Sequence, residues 1–128
     1  MPVNYKYNPV KNALYGNMEG KISLDELKEA LDQITNSNEF SPDVKAIWDL
    51  RKLDFTSLNT EFGEQLVSIR SLRPERGETK IAIVAEHDLG FGLNRMYGAL
   101  SDKLAQKVMA FRDYDEAEAW LLNENESR

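Results

Sequence analysis

The chain has 128 residues, 16 basic and 22 acidic side chains, one histidine and no cysteine. That length suits one compact domain with a core of its own, and the lack of cysteine excludes a disulfide framework, a thiolate zinc site and a cysteine nucleophile. The net charge of −6 disfavours non-specific attraction to nucleic acid or anionic lipid over the surface as a whole.

From the N-terminus, Val3, Tyr5 and Tyr7 alternate with polar residues until Asn8-Pro9 breaks the run, and Ala13–Met18 resumes it, which reads as a β-hairpin. No basic start leads into an apolar run there, and no segment approaches the roughly 18 apolar residues of a membrane span. The expectation is a cytoplasmic protein without stable membrane insertion. Ser23 followed by Glu26 forms a capping box, and Leu24, Leu27, Leu31 and Ile34 then make one apolar helical stripe. A second helix follows Asn59 or Thr60, carries Phe62, Leu66, Ile69 and Leu72 on one face, and ends before Pro74 and Gly77. A third starts after Asp88 as N-cap and turns Leu89, Leu93, Met96 or Tyr97, Leu100 and Leu104 inward. The fourth follows Asp113, with Asp115 and Glu116 at the positive end of its dipole and Ala117, Trp120 and Leu121 on its apolar side.

Between the helices lie Val44–Leu50, Ile81–Ala85 and Val108–Phe111, short and nearly continuous apolar runs that suit strands buried on both faces. With right-handed crossovers the order β-β-α-β-α-β-α-β-α predicts an α/β fold. It would be one layer of about five mostly parallel strands, a mixed sheet with an N-terminal hairpin, covered by four helices. One domain spans residues 1–128, with a flexible tail over 123–128.

Candidate functional residues gather where the strand ending at Ala85 meets the third helix, because open α/β sheets place sites at the carboxyl ends of their strands. His87, the only histidine, belongs to a residue type that can act as acid, base or metal ligand, and it lies beside Asp88. A hydrolase-like enzyme using His87 with Asp49 or Asp88 is one reading, although no nucleophile motif accompanies it, and a turn or surface role is the plainer account. Gly90 and Gly92 at a helix start would let an anion approach backbone amides, or would serve close helix–strand packing. Asp49 and Arg51 project to one face of their strand, and Arg95 would either pair with Asp49 or complete an anion site. Arg70, Arg73, Arg76 and Lys80 form the local basic concentration and read as a solvated face.

Three motifs in order carry a family resemblance: Ile47-Trp48-Asp49-Leu50-Arg51, Gly90-Phe91-Gly92-Leu93-Asn94-Arg95-Met96-Tyr97 and Ala117-Glu118-Ala119-Trp120-Leu121. Over roughly Ala13 to Leu122 the chain resembles the SpoIIAA-like group of bacterial proteins, also described as STAS/SEC14-domain-like. The STAS side of the resemblance implies a non-enzymatic regulator, switched by phosphorylation of a serine at the start of its second helix. Here the matching segment, Asp54 to Gly63, has no serine closely followed by glycine, and Ser57 and Thr60 stand as the candidate acceptors. The SEC14 side implies a small hydrophobic or lipid-like ligand held against the sheet.

Such a pocket needs apolar walls and a few polar anchors. Trp48, Phe55, Phe91, Met96 and Tyr97 supply walls, and Asp49, Arg51, Gly92 and Arg95 a polar rim, while aromatic and Met residues at these spacings equally suit a plain core. The leading expectation is a non-enzymatic regulatory or protein-interaction module, with homodimerisation open. The alternative is a carrier or sensor of a small hydrophobic or anionic ligand between Trp48–Arg51 and Gly90–Tyr97. Neither reading calls for a cofactor, a metal or a nucleic-acid partner.

Overall fold

A computed structural model describes residues 2–56 and 58–123. The chain runs β1 (Val3–Asn8), β2 (Ala13–Gly20), α1 (Leu24–Thr35), β3 (Lys45–Leu53), α2 (Thr60–Ser71), a 3-10 turn at Pro74–Arg76, β4 (Lys80–Val84), α3 (Asp88–Leu100), β5 (Lys107–Phe111) and α4 (Tyr114–Leu122). The five strands form one mixed sheet in the order β1-β2-β3-β4-β5. The hairpin pair β1–β2 is antiparallel, and β2–β3, β3–β4 and β4–β5 are parallel. This is the α/β arrangement expected from the sequence.

The strand order explains how the helices are distributed. A sheet that always adds its next parallel strand on the same side, through crossovers of one hand, places every crossover helix on one face. Thus α1, α2 and α3 share a face, where they surround Trp48, Leu50, Ile81 and Ile83. Because α4 follows the last strand it is no crossover, and it covers the opposite face by packing Ala117, Trp120 and Leu121 on Ala13, Ile47, Ala82 and Val84. Alternation along β3 separates the two sides: Ala46, Trp48 and Leu50 point to the three-helix side, and Ile47, Asp49 and Arg51 to the other.

Local caps hold the helix starts. The Ser23 hydroxyl accepts from the Glu26 amide at 3.2 Å while Glu26 accepts from the Ser23 amide at 2.9 Å, completing the capping box. Asn59 caps α2 through the Phe62 amide at 2.9 Å, and Asp113 caps α4 through the Glu116 amide at 3.0 Å. At α3 the N-cap is His87, whose side chain makes no capping bond, and not Asp88. Asp88 is the first helical residue and pairs with Arg112 at 2.9 Å.

The shifted start changes which residues α3 buries. Gly90 and Asn94 are its buried positions, one helical turn apart, and the inward stripe continues through Tyr97 to Leu100. Leu89 remains 55% exposed instead of turning inward, and of Met96 and Tyr97 it is Tyr97 that carries the stripe, with Met96 40% exposed at its edge. Leu104 lies past the helix, which ends at Leu100. Leu72 is likewise 78% exposed, because it is the C-cap of α2 and no longer follows the helical stripe. At the chain's end Asn123 caps α4, and the rest of the expected tail, 124–128, lies outside the described residues.

Candidate functional site

Between the sheet and the three crossover helices lies a cavity of about 150 Å³. Its floor is Trp48, Leu50, Ile81 and Ile83, and its walls include Leu27 and Leu31 of α1, Phe62 and Leu66 of α2, and Leu93 and Tyr97 of α3. The floor depends on a glycine. A Cβ at Gly16 would occupy the space taken by the six-membered ring of Trp48, so Gly16 lets that ring lie across β2. There it meets Tyr5 edge-on, with centroids 6.2 Å apart. Small side chains at Ala30 and Gly63 border the space without filling it. An engineered apolar cavity of about this volume takes up benzene, so the space admits a small hydrophobic group.

One end of the cavity is cationic. Arg70, Arg73 and Arg76 all line it, and Arg70 and Arg76 are only 7% and 5% exposed. They are therefore not the solvated face expected from the sequence. Arg70 extends the inward stripe of α2, falling four residues after Leu66 where helical spacing returns to the same face. Its Nη1 donates to the Tyr97 hydroxyl at 2.6 Å and the Ser101 hydroxyl at 2.8 Å, and its Nη2 donates to Gln106 Oε1 at 2.9 Å. Arg76 donates through Nη1 to the carbonyls of Pro42 and Val44 at 2.6 and 2.8 Å.

Of the three, only Arg73 meets a carboxylate among the described residues, donating from Nε to Asp32 at 2.8 Å and so tying the turn after α2 to α1. That bond holds the Asp32 carboxyl below its ordinary pKa. Burial, with Arg70 as a neighbouring like charge, pushes Arg76 down to about 10 against the opposing pull of Asp43. Burial likewise raises the Tyr97 phenol, outweighing the lowering effect of Arg70, so the phenol stays protonated.

The residues proposed from sequence fall into three places. Trp48, Met96 and Tyr97 line the cavity. Asp49 and Arg51 lie on the α4 side, a consequence of strand alternation. There Arg51 donates from Nε and Nη2 to the two Asp49 oxygens at 2.9 and 2.8 Å, and its guanidinium lies 5.2 Å from the centre of the Tyr114 ring. This bidentate pair depresses the Asp49 carboxyl and raises Arg51.

Phe91, Gly92 and Arg95 are on α3 but do not line the cavity. Arg95 is exposed, 6.0 Å from the Phe91 ring, and among the described residues it makes no ion pair, with Asp49 or otherwise. Gly90 accommodates the ring of Phe55, where an added Cβ would collide, so packing rather than approach of an anion accounts for it. His87 is exposed and outside the cavity, and Asp49 and Asp88 are each engaged by an arginine. Thr60 is exposed at the cavity's rim and donates to Met96 Sδ at 2.9 Å, whereas Ser57 lies outside the described residues.

Sequence reasoning missed Arg70, Arg73 and Arg76 as cavity residues. The available signal was the coincidence of Arg70 with the stripe Phe62–Leu66 and the choice of arginine at all three positions, since its delocalised charge tolerates burial better than lysine's. Among the described residues no cluster of three His, Asp or Glu side chains is placed to hold a metal, and no helix is long and apolar enough to cross a membrane.

No protein-family model matches the chain, and no curated protein does. Among solved structures it is similar to an uncharacterized protein of the DUF3478 family with a SpoIIAA-like fold, from Shewanella loihica PV-4. The two share 16% sequence identity and superpose with a TM-score of 0.61, over 93% of this chain and 91% of the other. At that identity the likeness concerns architecture, and it agrees with the strand order and helix placement above: the chain has a SpoIIAA-like fold.

Proposed function

We propose that the protein is a non-enzymatic binding module that takes a small hydrophobic molecule into the space between its sheet and α1, α2 and α3. The observation that carries this reading is the apolar cavity itself, of about 150 Å³, in a fold whose other face is closed by α4. Well-packed interiors leave few voids larger than a water molecule, so a retained space of this size next to a polar end invites a ligand. No constellation of nucleophile, base and orienting group accompanies it among the described residues.

Two roles fit such a module, carrier and sensor. A regulatory role, read by a protein partner or by a second copy of the chain, draws on α3: the helix that walls the cavity with Leu93 and Tyr97 also displays Leu89 outward and sets the partly exposed Met96 at the cavity's rim. Thr60, on the rim beside Met96, is where a modification at the start of α2 would act on both.

Titration with toluene, followed by methyl NMR, tests the reading. Saturable shifts at Leu27, Leu31 and Ile83 are expected, and no shift up to the solubility limit of toluene would sink it. Shifts that spread to the outer Leu89 favour a sensor, and shifts confined to the lining favour a carrier.

A further inference from the structure

We propose that the molecule bound in this cavity is a small carboxylic acid with an aromatic or branched apolar body, and that Arg70 receives its carboxylate. This rests on the binding reading above and adds the chemistry of the ligand's polar end.

The first support is charge. Arg70 is buried with three neutral partners, Tyr97, Ser101 and Gln106, and Arg76 is buried with two neutral carbonyls. Buried cations are ordinarily paired with anions, because neutral hydrogen bonds replace only part of the hydration they lose. Arg70 lies in the last turn of α2, whose dipole offsets about half a charge there. Asp43 influences Arg76 but makes no ion pair with it among the described residues. Among the described residues the cationic end of the cavity thus carries more than one positive charge without an ion-paired acid, while Arg73 beside it has Asp32.

The second support is the count of donors. A guanidinium has five N–H groups. Arg70 uses three, two on Nη1 and one on Nη2, so Nε–H and one Nη2–H have no partner among the described residues. Two free donors match the two oxygens of a carboxylate. The third support is size. A space of about 150 Å³ with mostly apolar walls takes one ring or a short branched chain, and not a long acyl tail.

The test compares toluene, phenylacetamide and phenylacetate on the full chain at pH 7 by calorimetric titration, with the Arg70 Nε–H resonance followed by NMR. The expected result is phenylacetate binding about tenfold or more tighter than phenylacetamide, equivalent to about 1.4 kcal/mol or more, with a shift of the Arg70 resonance. Arg70→Gln should remove that preference and keep toluene binding, and Arg95→Gln, outside the cavity, should leave the preference intact. Equal affinity for acid and amide, or a preference that survives in Arg70→Gln, overturns the inference. Should Arg70→Gln fail to fold, the acid-to-amide ratio and the Arg70 shift in the unaltered protein decide. Toluene binding without acid preference overturns the carboxylate alone, and no binding by any of the three overturns the cavity reading with it.

Discussion

At the scale of single residues, the basic side chains carry the lesson. Arg70, Arg76 and Lys80 are all nearly buried, yet each is placed by what its head group reaches rather than by its own polarity. Lys80 opens β4 and donates from Nζ to the carbonyls of Trp120 at 2.9 Å and Asn123 at 2.7 Å, with the ammonium 4.9 Å from the centre of a Trp120 ring. Those carbonyls belong to the C-terminal end of α4, where backbone donors run short and a cation is favoured, and that of Trp120 also accepts from the Asn123 amide at 3.4 Å. Lys80→Met keeps the stem's packing and removes the charge, so it should destabilise the protein by about 2 kcal/mol. A urea titration checks this, and an unchanged midpoint would deny Lys80 any capping role. Burial of this kind leaves no trace in composition, because a lysine that snorkels into solvent and one that caps a helix are the same letter.

At the scale of elements, α3 holds two glycines that the sequence presents as one Gly-x-Gly feature and the structure separates. An added Cβ at Gly90 collides with the Phe55 ring, whereas at Gly92 it meets nothing within 4 Å. Gly92→Ala should therefore stabilise the helix by about 0.5–1 kcal/mol through propensity and reduced freedom of the unfolded chain. Gly90→Ala should destabilise by about 1–3 kcal/mol, as overpacking does. Thermal unfolding of the two variants side by side decides, and equal shifts would mean that Phe55 yields without cost. The capping signals at Ser23, Asn59 and Asp113 were legible because each is a local pattern of one acceptor and an amide two or three residues on. The N-cap of α3 was not, since Asp88 has the right chemistry but the chain turns helical one residue sooner.

At the scale of the whole molecule, topology moved the site. Ligands in open α/β sheets sit at the strand ends where the strand order reverses and neighbouring crossovers diverge to opposite faces. Here the order never reverses, so the topology supplies no switch point between diverging crossovers. The cavity lies instead under the three helices that share a face. Acid should weaken the entire fold, because its carboxylates tie distant elements together. Glu118 of α4, below its ordinary pKa chiefly through the Tyr15 hydroxyl at 2.6 Å and also through Lys11, joins α4 to the hairpin. Asp32 joins α1 to Arg73 in the turn after α2.

Since Asp32, Asp49 and Glu118 all have pKa values lowered in the folded state, the stability they contribute is present above the unfolded values near 4. It is lost as pH falls through the folded ones. Urea midpoints should decline below about pH 4 for that reason, with a shallower decline in Glu118→Gln. A decline equally steep in that variant would assign the acid limb to other groups.

Period, caps and breakers are properties of neighbouring residues, so the sequence by itself determined the elements, their order and the mixed character of the sheet. Alternation even placed Asp49 and Arg51 together, and they do form a bidentate pair. Which face of a strand meets which helix is a long-range matter, set by the hand of the crossovers and the direction in which the sheet grows. Alternation alone puts Trp48 and Asp49, adjacent in the chain, on opposite faces, but only the tertiary structure could assign the face of Trp48 to the three crossover helices and that of Asp49 to α4. Only it could bring Arg70 of α2, Tyr97 of α3, Ser101 at the C-cap of α3 and Gln106 before β5 to one end of a common cavity.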